Sequence, residues 1–309
     1  MVPPRRTLCS VILWSSVVIF NLLHSVGAQT TSKAPFELIL TPIHTVAFVF
    51  TFIFGLFFAL QALTAAGKLG NADKLLPSGR RGAIYFTGRI YPFPLFLATI
   101  SLIVYYVLSA ITIVFTLNES KADLRVLSLH FAAGRNVALQ LTHWFIVCTL
   151  LVLLFERERF NWEKESKPIY MFKLGFDLAL LVISLSIIIA LNSLDSVFLT
   201  LNTKQREDVV HLGPVYVAFN AILTVDVVAS TFWTWFRLKA RSVPDSIMIG
   251  QVVKFISPML LIQMVYEIVQ YAISHSHILT TGAHTVDALL LSRILVTGFT
   301  NAFIVWVAL

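Results

Sequence analysis

Four charged residues stand inside long apolar runs of this chain: Asp177, Asp226, Glu267 and Arg293. A charged side chain in hydrocarbon is costly, so such residues face a bundle interior, pair with one another or bind something. At a helical rise of about 1.5 Å per residue, Glu267 and Arg293 lie at matched depth, each about 7 Å to the same side of its run's centre. That matching predicts an ion pair, Glu267–Arg293, between successive helices. Asp177 follows Lys173 by one turn, a spacing at which the two can meet locally. Asp226 is close to the middle of its run, with no charged residue at matched depth. It is expected either to be held as the neutral acid by a neighbouring helix or to bind a ligand. His44, His130, His143, His211, His275, His277 and His284 gather toward the side of the membrane that holds Glu267 and Arg293. No HxxxH or HExxH spacing occurs among them, so solvated interfacial imidazoles are expected, with no metal and no cofactor. His143, Asp226, Glu267 and Arg293 are the candidate ligand-binding residues, around a polar pocket opening outward between spans three, six and seven.

The elements that must position these residues are apolar runs at roughly 38–66, 91–117, 137–155, 174–191, 213–236, 252–273 and 286–309. Each approaches the ~20 residues that cross hydrocarbon as a helix. The runs lack period-2 alternation and are too long for barrel strands. Hydrophobic residues make up 57% of the chain and charged residues 13%, against roughly 45–50% and about 25% in soluble domains. The mean hydropathy is +0.82. The fold class is therefore all-α, a polytopic membrane bundle of seven transmembrane helices. Arg5 and Arg6, the apolar stretch from Leu8 to Leu23, and Val26 and Ala28 have the layout of a signal peptide. Cleavage is expected after Ala28, giving residues 1–28 as signal and 29–309 as the seven-span domain.

Charge orients the bundle. Fourteen Lys and Arg lie in or beside the connections 67–90, 156–173 and 237–251, and six lie on the other side, among them Arg135. This bias puts the N-terminus outside and the C-terminus in the cytosol. The sequon Asn118-Glu119-Ser120 falls outside, where glycosylation of Asn118 is possible. Trp233, Trp235 and Trp306 fall near the cytosolic interface, which suits indoles. The net charge of +7 is dispersed between the runs and reads as topogenic, so no nucleic-acid partner is expected. The expected location is an integral membrane of the secretory pathway, the plasma membrane foremost. Its expected partners are membrane lipids and a small-molecule or lipid ligand. The basic shoulder Pro77-Ser78-Gly79-Arg80-Arg81 could meet anionic lipid or a cytosolic partner. Residues 156–169 mix both signs of charge and read as a solvated helical extension. Cys9 lies in the signal segment and Cys148 in a span, so no internal disulfide is expected in the mature chain. Pro214 and Pro258 can bend spans five and six.

An outside start, seven spans, short loops and an inside end resemble the architecture of G-protein-coupled receptors. Glu156-Arg157-Glu158, at the inner end of span three, is similar to the acidic-Arg-aromatic signature of rhodopsin-like receptors, with an acidic third residue. Span seven carries Thr297-Gly298-Phe299-Thr300-Asn301 where that family has NPxxY, and it has no lysine for a retinal Schiff base. The segment from Leu261 to Tyr271 resembles the sixth span of fungal seven-span proteins of the lipid-translocating type, with Gln263 in place of an Arg. These resemblances imply a receptor-like or lipid-handling protein. The alternative is an enzyme that resembles the membrane-bound terpene cyclases, with Asp226 and Glu267 as intramembrane proton donors.

Overall fold

In hydrocarbon every backbone N–H and C=O must find its partner inside the chain, and a helix achieves this within one segment. The computed structural model describes residues 42–71, 91–116, 122–162, 167–196, 203–240, 246–275 and 283–309, with side chains at 43–70, 91–114, 130–155, 171–193, 212–240, 249–273 and 288–309. The elements are α1 (Pro42–Asn71), α2 (Pro92–Thr116), α3 (Ala122–Trp162), α4 (Lys167–Ser196), α5 (Thr203–Ala240), α6 (Ser246–Gln251), a π-helical segment (Val252–Ile256), α7 (Ser257–His275) and α8 (Ala283–Ala308). Among the described residues there is no strand. All of these helices belong to one packed unit, Leu40–Leu309. The signal segment, the Pro77–Arg81 shoulder and the sequon at Asn118 lie outside the described residues.

Among the described residues seven helices are long and apolar enough to cross a membrane: Ile43–Gly70, Pro92–Val114, His130–Phe155, Met171–Ser193, Leu212–Ala240, Ile249–Ile273 and Ala288–Ala308. The third includes Arg135, which the expected run from 137 left in an outside connection, and helix α3 itself begins earlier, at Ala122. Hydropathy falls at Arg135 and Asn136, but Phe131, Ala132 and Ala133 restore it one turn earlier, and the helix runs through. At its other end α3 continues to Trp162, through the charged residues 156–159, as a single helix.

Neighbours in sequence pack side by side, span one also packs on span seven, and span three also reaches span five. Span three is the central element, with 67% of its apolar window buried, whereas span four is peripheral at 17%. Outward faces are apolar: Phe52, Phe172, Leu178, Ile189 and Phe236 are all exposed. Lipid, not water, suits such a surface. Hydroxyls inside the spans bond to their own helix, as Thr51, Ser109, Thr142, Thr149 and Thr231 do to the carbonyl four residues back. This removes polar atoms from the apolar surroundings without needing a partner helix.

Inter-helix hydrogen bonds fix the positions that matter for the site. Tyr106 Oη donates to the Ile294 carbonyl at 3.2 Å, and Gln61 Nε2 donates to the Ala302 carbonyl at 3.0 Å, holding spans one and two on span seven. Trp144 Nε1 donates to the Leu181 carbonyl at 3.0 Å, joining span three to span four. In the sixth span, Pro258 has no N–H to give to a carbonyl one turn before it. The helix widens to the π pattern just ahead of it, and the Ser257 N–H bonds to the Val252 carbonyl. A π-turn followed by a proline is an identifiable break in an otherwise regular span.

Candidate functional site

The polar centre of the bundle lies where spans three, five and six meet. His143 comes from span three and Asn220 from span five; Gln263 and Glu267 come from span six. Gln263 and Glu267 are four residues apart and so share one helix face. His143, Asn220 and Gln263 are buried, and the Glu267 side chain is 18% exposed. His143 Nδ1 lies 2.8 Å from Glu267 Oε1, and Asn220 Nδ2 donates to Glu267 Oε2 at 2.6 Å. The amide nitrogen of Gln263 meets His143 Nε2. Each carboxylate oxygen therefore has a donor, and both imidazole nitrogens have a partner.

The geometry constrains the proton. A carboxylate against Nδ1 requires a hydrogen there, and an amide N–H against Nε2 requires a lone pair on that nitrogen. With the amide in this orientation the ring hydrogen lies on Nδ1, facing Glu267. Turning the Gln263 amide over would present its oxygen to Nε2 and suit the doubly protonated ring.

A wider shell surrounds Glu267. Arg293 on span seven is close enough to act electrostatically on Glu267, Tyr216, Tyr266 and Arg135. Tyr266 Oη and Ser292 Oγ are 2.9 Å apart, which ties span six to span seven beside that arginine. Below the carboxylate, His143, Ile146, Val147, Asn220, Thr224, Leu260, Gln263 and Met264 line a cavity of about 10 Å³. That is room for about one water molecule. In this conformation the cavity is too small to be a preformed pocket for a larger ligand.

The four sequence candidates divide. His143 and Glu267 come together; Arg293 belongs to the shell around them; Asp226 does not join them. The expected Glu267–Arg293 ion pair is replaced by Glu267–His143, since among the described pairs within 4.0 Å the carboxylate meets the imidazole and not the guanidinium. Depth along two helices was read correctly, but which way each side chain faces around its helix depends on packing. The expectation of a solvated interfacial imidazole at His143 is likewise overturned by its burial. A small cavity lies among spans three, five and six.

Asp226 is also not isolated. Lys173 Nζ on span four donates to both of its oxygens, at 2.8 and 2.9 Å, and contacts Asp177 as well. Lys173 starts near one end of its span, but its long side chain reaches across depth, which matching of Cα positions ignored. Sequence reading missed Asn220, Gln263 and Arg135. The signal that could have found the first two is their amides in otherwise apolar stretches.

Compared with known proteins, the chain matches no family model, no curated protein and no solved structure. Fold and composition define its class as an all-α polytopic membrane protein with seven candidate spans.

Proposed function

We propose that this chain is a receptor-like seven-span membrane protein that takes up a small-molecule or lipid ligand beside the His143–Glu267 network and responds through span six. The single observation that carries this reading is the buried network itself, which links three spans through polar contacts at one level. Groups so placed are expensive in a bilayer interior, and their usual use is to recognise, relay or switch. Span six supports the reading because it carries Gln263 and Glu267 on one side of the π-turn and Pro258, so a shift at the network can turn the segment beyond it. The charge bias supports a network in the outer half of the membrane and an outside N-terminus, and on this reading the membrane is the plasma membrane.

The test is co-purification. Full-length protein and the variants His143→Ala and Glu267→Gln are isolated in nanodiscs, and their bound small molecules and lipids are compared by native mass spectrometry. The reading expects a species retained by the wild type and lost from both variants. Identical profiles from well-folded samples would overturn it.

A further inference from the structure

We propose that the cavity beside the His143–Glu267 network binds one ordered water molecule, held by Asn220, Thr224 and Gln263, and that Thr224 is through it a positioning residue of the network. The inference goes beyond the receptor-like reading and stands independently of it.

The cavity of about 10 Å³ is lined by four polar side chains, His143, Asn220, Thr224 and Gln263, and by four apolar ones, Met264 among them. The four polar residues are all buried. A space of this size admits about one water, and a buried water makes about three hydrogen bonds. Apolar cavities stay dry, so the bonding capacity of the lining decides.

That capacity can be counted residue by residue. His143 offers nothing further, because Glu267 and Gln263 engage both ring nitrogens. Asn220 gives an amide hydrogen to Glu267, and among the described residues nothing donates to its amide oxygen. Gln263 turns its amide nitrogen to the imidazole, and its oxygen likewise has no donor among the described residues. Buried amide oxygens sealed away without a partner occur at Gln61, Asn136, Asn192 and Asn301, but not at Asn220 or Gln263. Those two side chains border the cavity instead. Thr224 is the third contributor. Thr142, Thr149 and Thr231 each donate their hydroxyl to the carbonyl four residues back. Thr224 makes no such bond among the described residues.

Thr224 follows Asn220 by four residues, so the two share one face of span five, across from Gln263 on span six. A water between them accepts from the Thr224 hydroxyl and donates to the two amide oxygens. In hydrocarbon no bulk solvent satisfies these groups in its place. The bridge ties spans five and six at a second level, about 6 Å along span six from Glu267. Through it Thr224 steadies Asn220 and Gln263, which in turn hold Glu267 and His143.

The experiment is hydroxyl-radical footprinting of the full-length chain in phosphatidylcholine nanodiscs. An X-ray pulse converts water to radicals where it stands, so a methionine beside a resident water is oxidised even though protein and lipid screen it. Met264 lines the cavity, and Met259, in the same span but packed on the apolar cluster, is the internal control. The expected result is oxidation of Met264 several-fold faster than of Met259. Thr224→Val keeps the side-chain volume and removes the hydroxyl, so it should slow Met264 about fivefold, the change in occupancy that loss of one hydrogen bond implies. Thr224→Ser should stay close to the wild type, and Val147→Ile, which fills the space, should bring Met264 down to the rate of Met259. Equal rates for the two methionines in the wild type overturn the proposal, as does a Thr224→Val rate equal to the wild type's. If Thr224→Val fails to fold, a density map of the wild type at a resolution that shows waters decides. A peak within hydrogen-bond reach of Thr224 Oγ1 supports the site, and its absence there overturns it. If the footprint stands while His143→Ala and Glu267→Gln retain every co-purifying species, the water stays and the receptor-like reading falls.

Discussion

Removing Glu267 tests the reading of the polar centre most directly. Glu267→Ala deletes the acceptor of two hydrogen bonds, to His143 at 2.8 Å and Asn220 at 2.6 Å, and strands both donors in a buried place. Each hydrogen bond to a charged group is worth about 1.5–3 kcal/mol in soluble proteins, but inter-helix bonds in a bilayer average about 0.6 and reach about 1.7 kcal/mol. Taking the bilayer figures, the two bonds contribute about 1–3 kcal/mol. Leaving a buried donor unsatisfied adds about 1–3 kcal/mol. A total of about 2–6 kcal/mol brackets the about 3–5 kcal/mol that removing one partner from a buried pair usually costs. The assay is equilibrium unfolding of the purified chain in mixed micelles, followed by circular dichroism as the denaturing detergent is increased. A double-mutant cycle of His143→Ala with Glu267→Ala should return a coupling of about 1–3 kcal/mol. The same cycle with Arg293→Ala should return less, because that guanidinium acts on Glu267 only from beyond 4.0 Å. Additivity within about 0.5 kcal/mol for His143 and Glu267, or a larger coupling for Arg293, would refute the assignment.

Two further outcomes follow from the packing. Lys173→Met removes the cation shared by Asp177 and Asp226, so it should lower the melting temperature more than Asp226→Asn does. Adding Asp177→Asn and Asp226→Asn to it should recover much of the loss, since neutralising a whole cluster is milder than stranding part of it. A triple variant no more stable than Lys173→Met would reject that account. Gly298 lies against the ring of Phe54, and an added methyl would overlap it. That ring is 5% exposed and held between Tyr106 and Phe299, at centroid distances of 5.6 and 5.2 Å, so it has little room to yield. Gly298→Ala should cost about 1–3 kcal/mol by overpacking, and Phe54→Leu should restore part of it in the same unfolding assay.

The sequence by itself determined the class and the number of spans, because bilayer thickness and backbone hydrogen bonding impose a length and composition that any reader of the chain can count. It also marked the depth of each charge, through the constant rise of a helix. Local contacts within one helix, such as Lys173 with Asp177, were legible for the same reason. What it could not carry is the rotation of each helix about its axis and the reach of long side chains. Those decided that Glu267 meets His143 and not Arg293, and that Asp226, seemingly alone on span five, is held from span four by Lys173. Arg135 shows the limit from the other side. Its charge ended the apolar run in sequence and so placed it in a connection, whereas helix α3 runs through it and includes it in the third candidate span. Hydropathy averages a window, but burial is set by which neighbouring helix covers a residue, and only the tertiary structure supplies that neighbour.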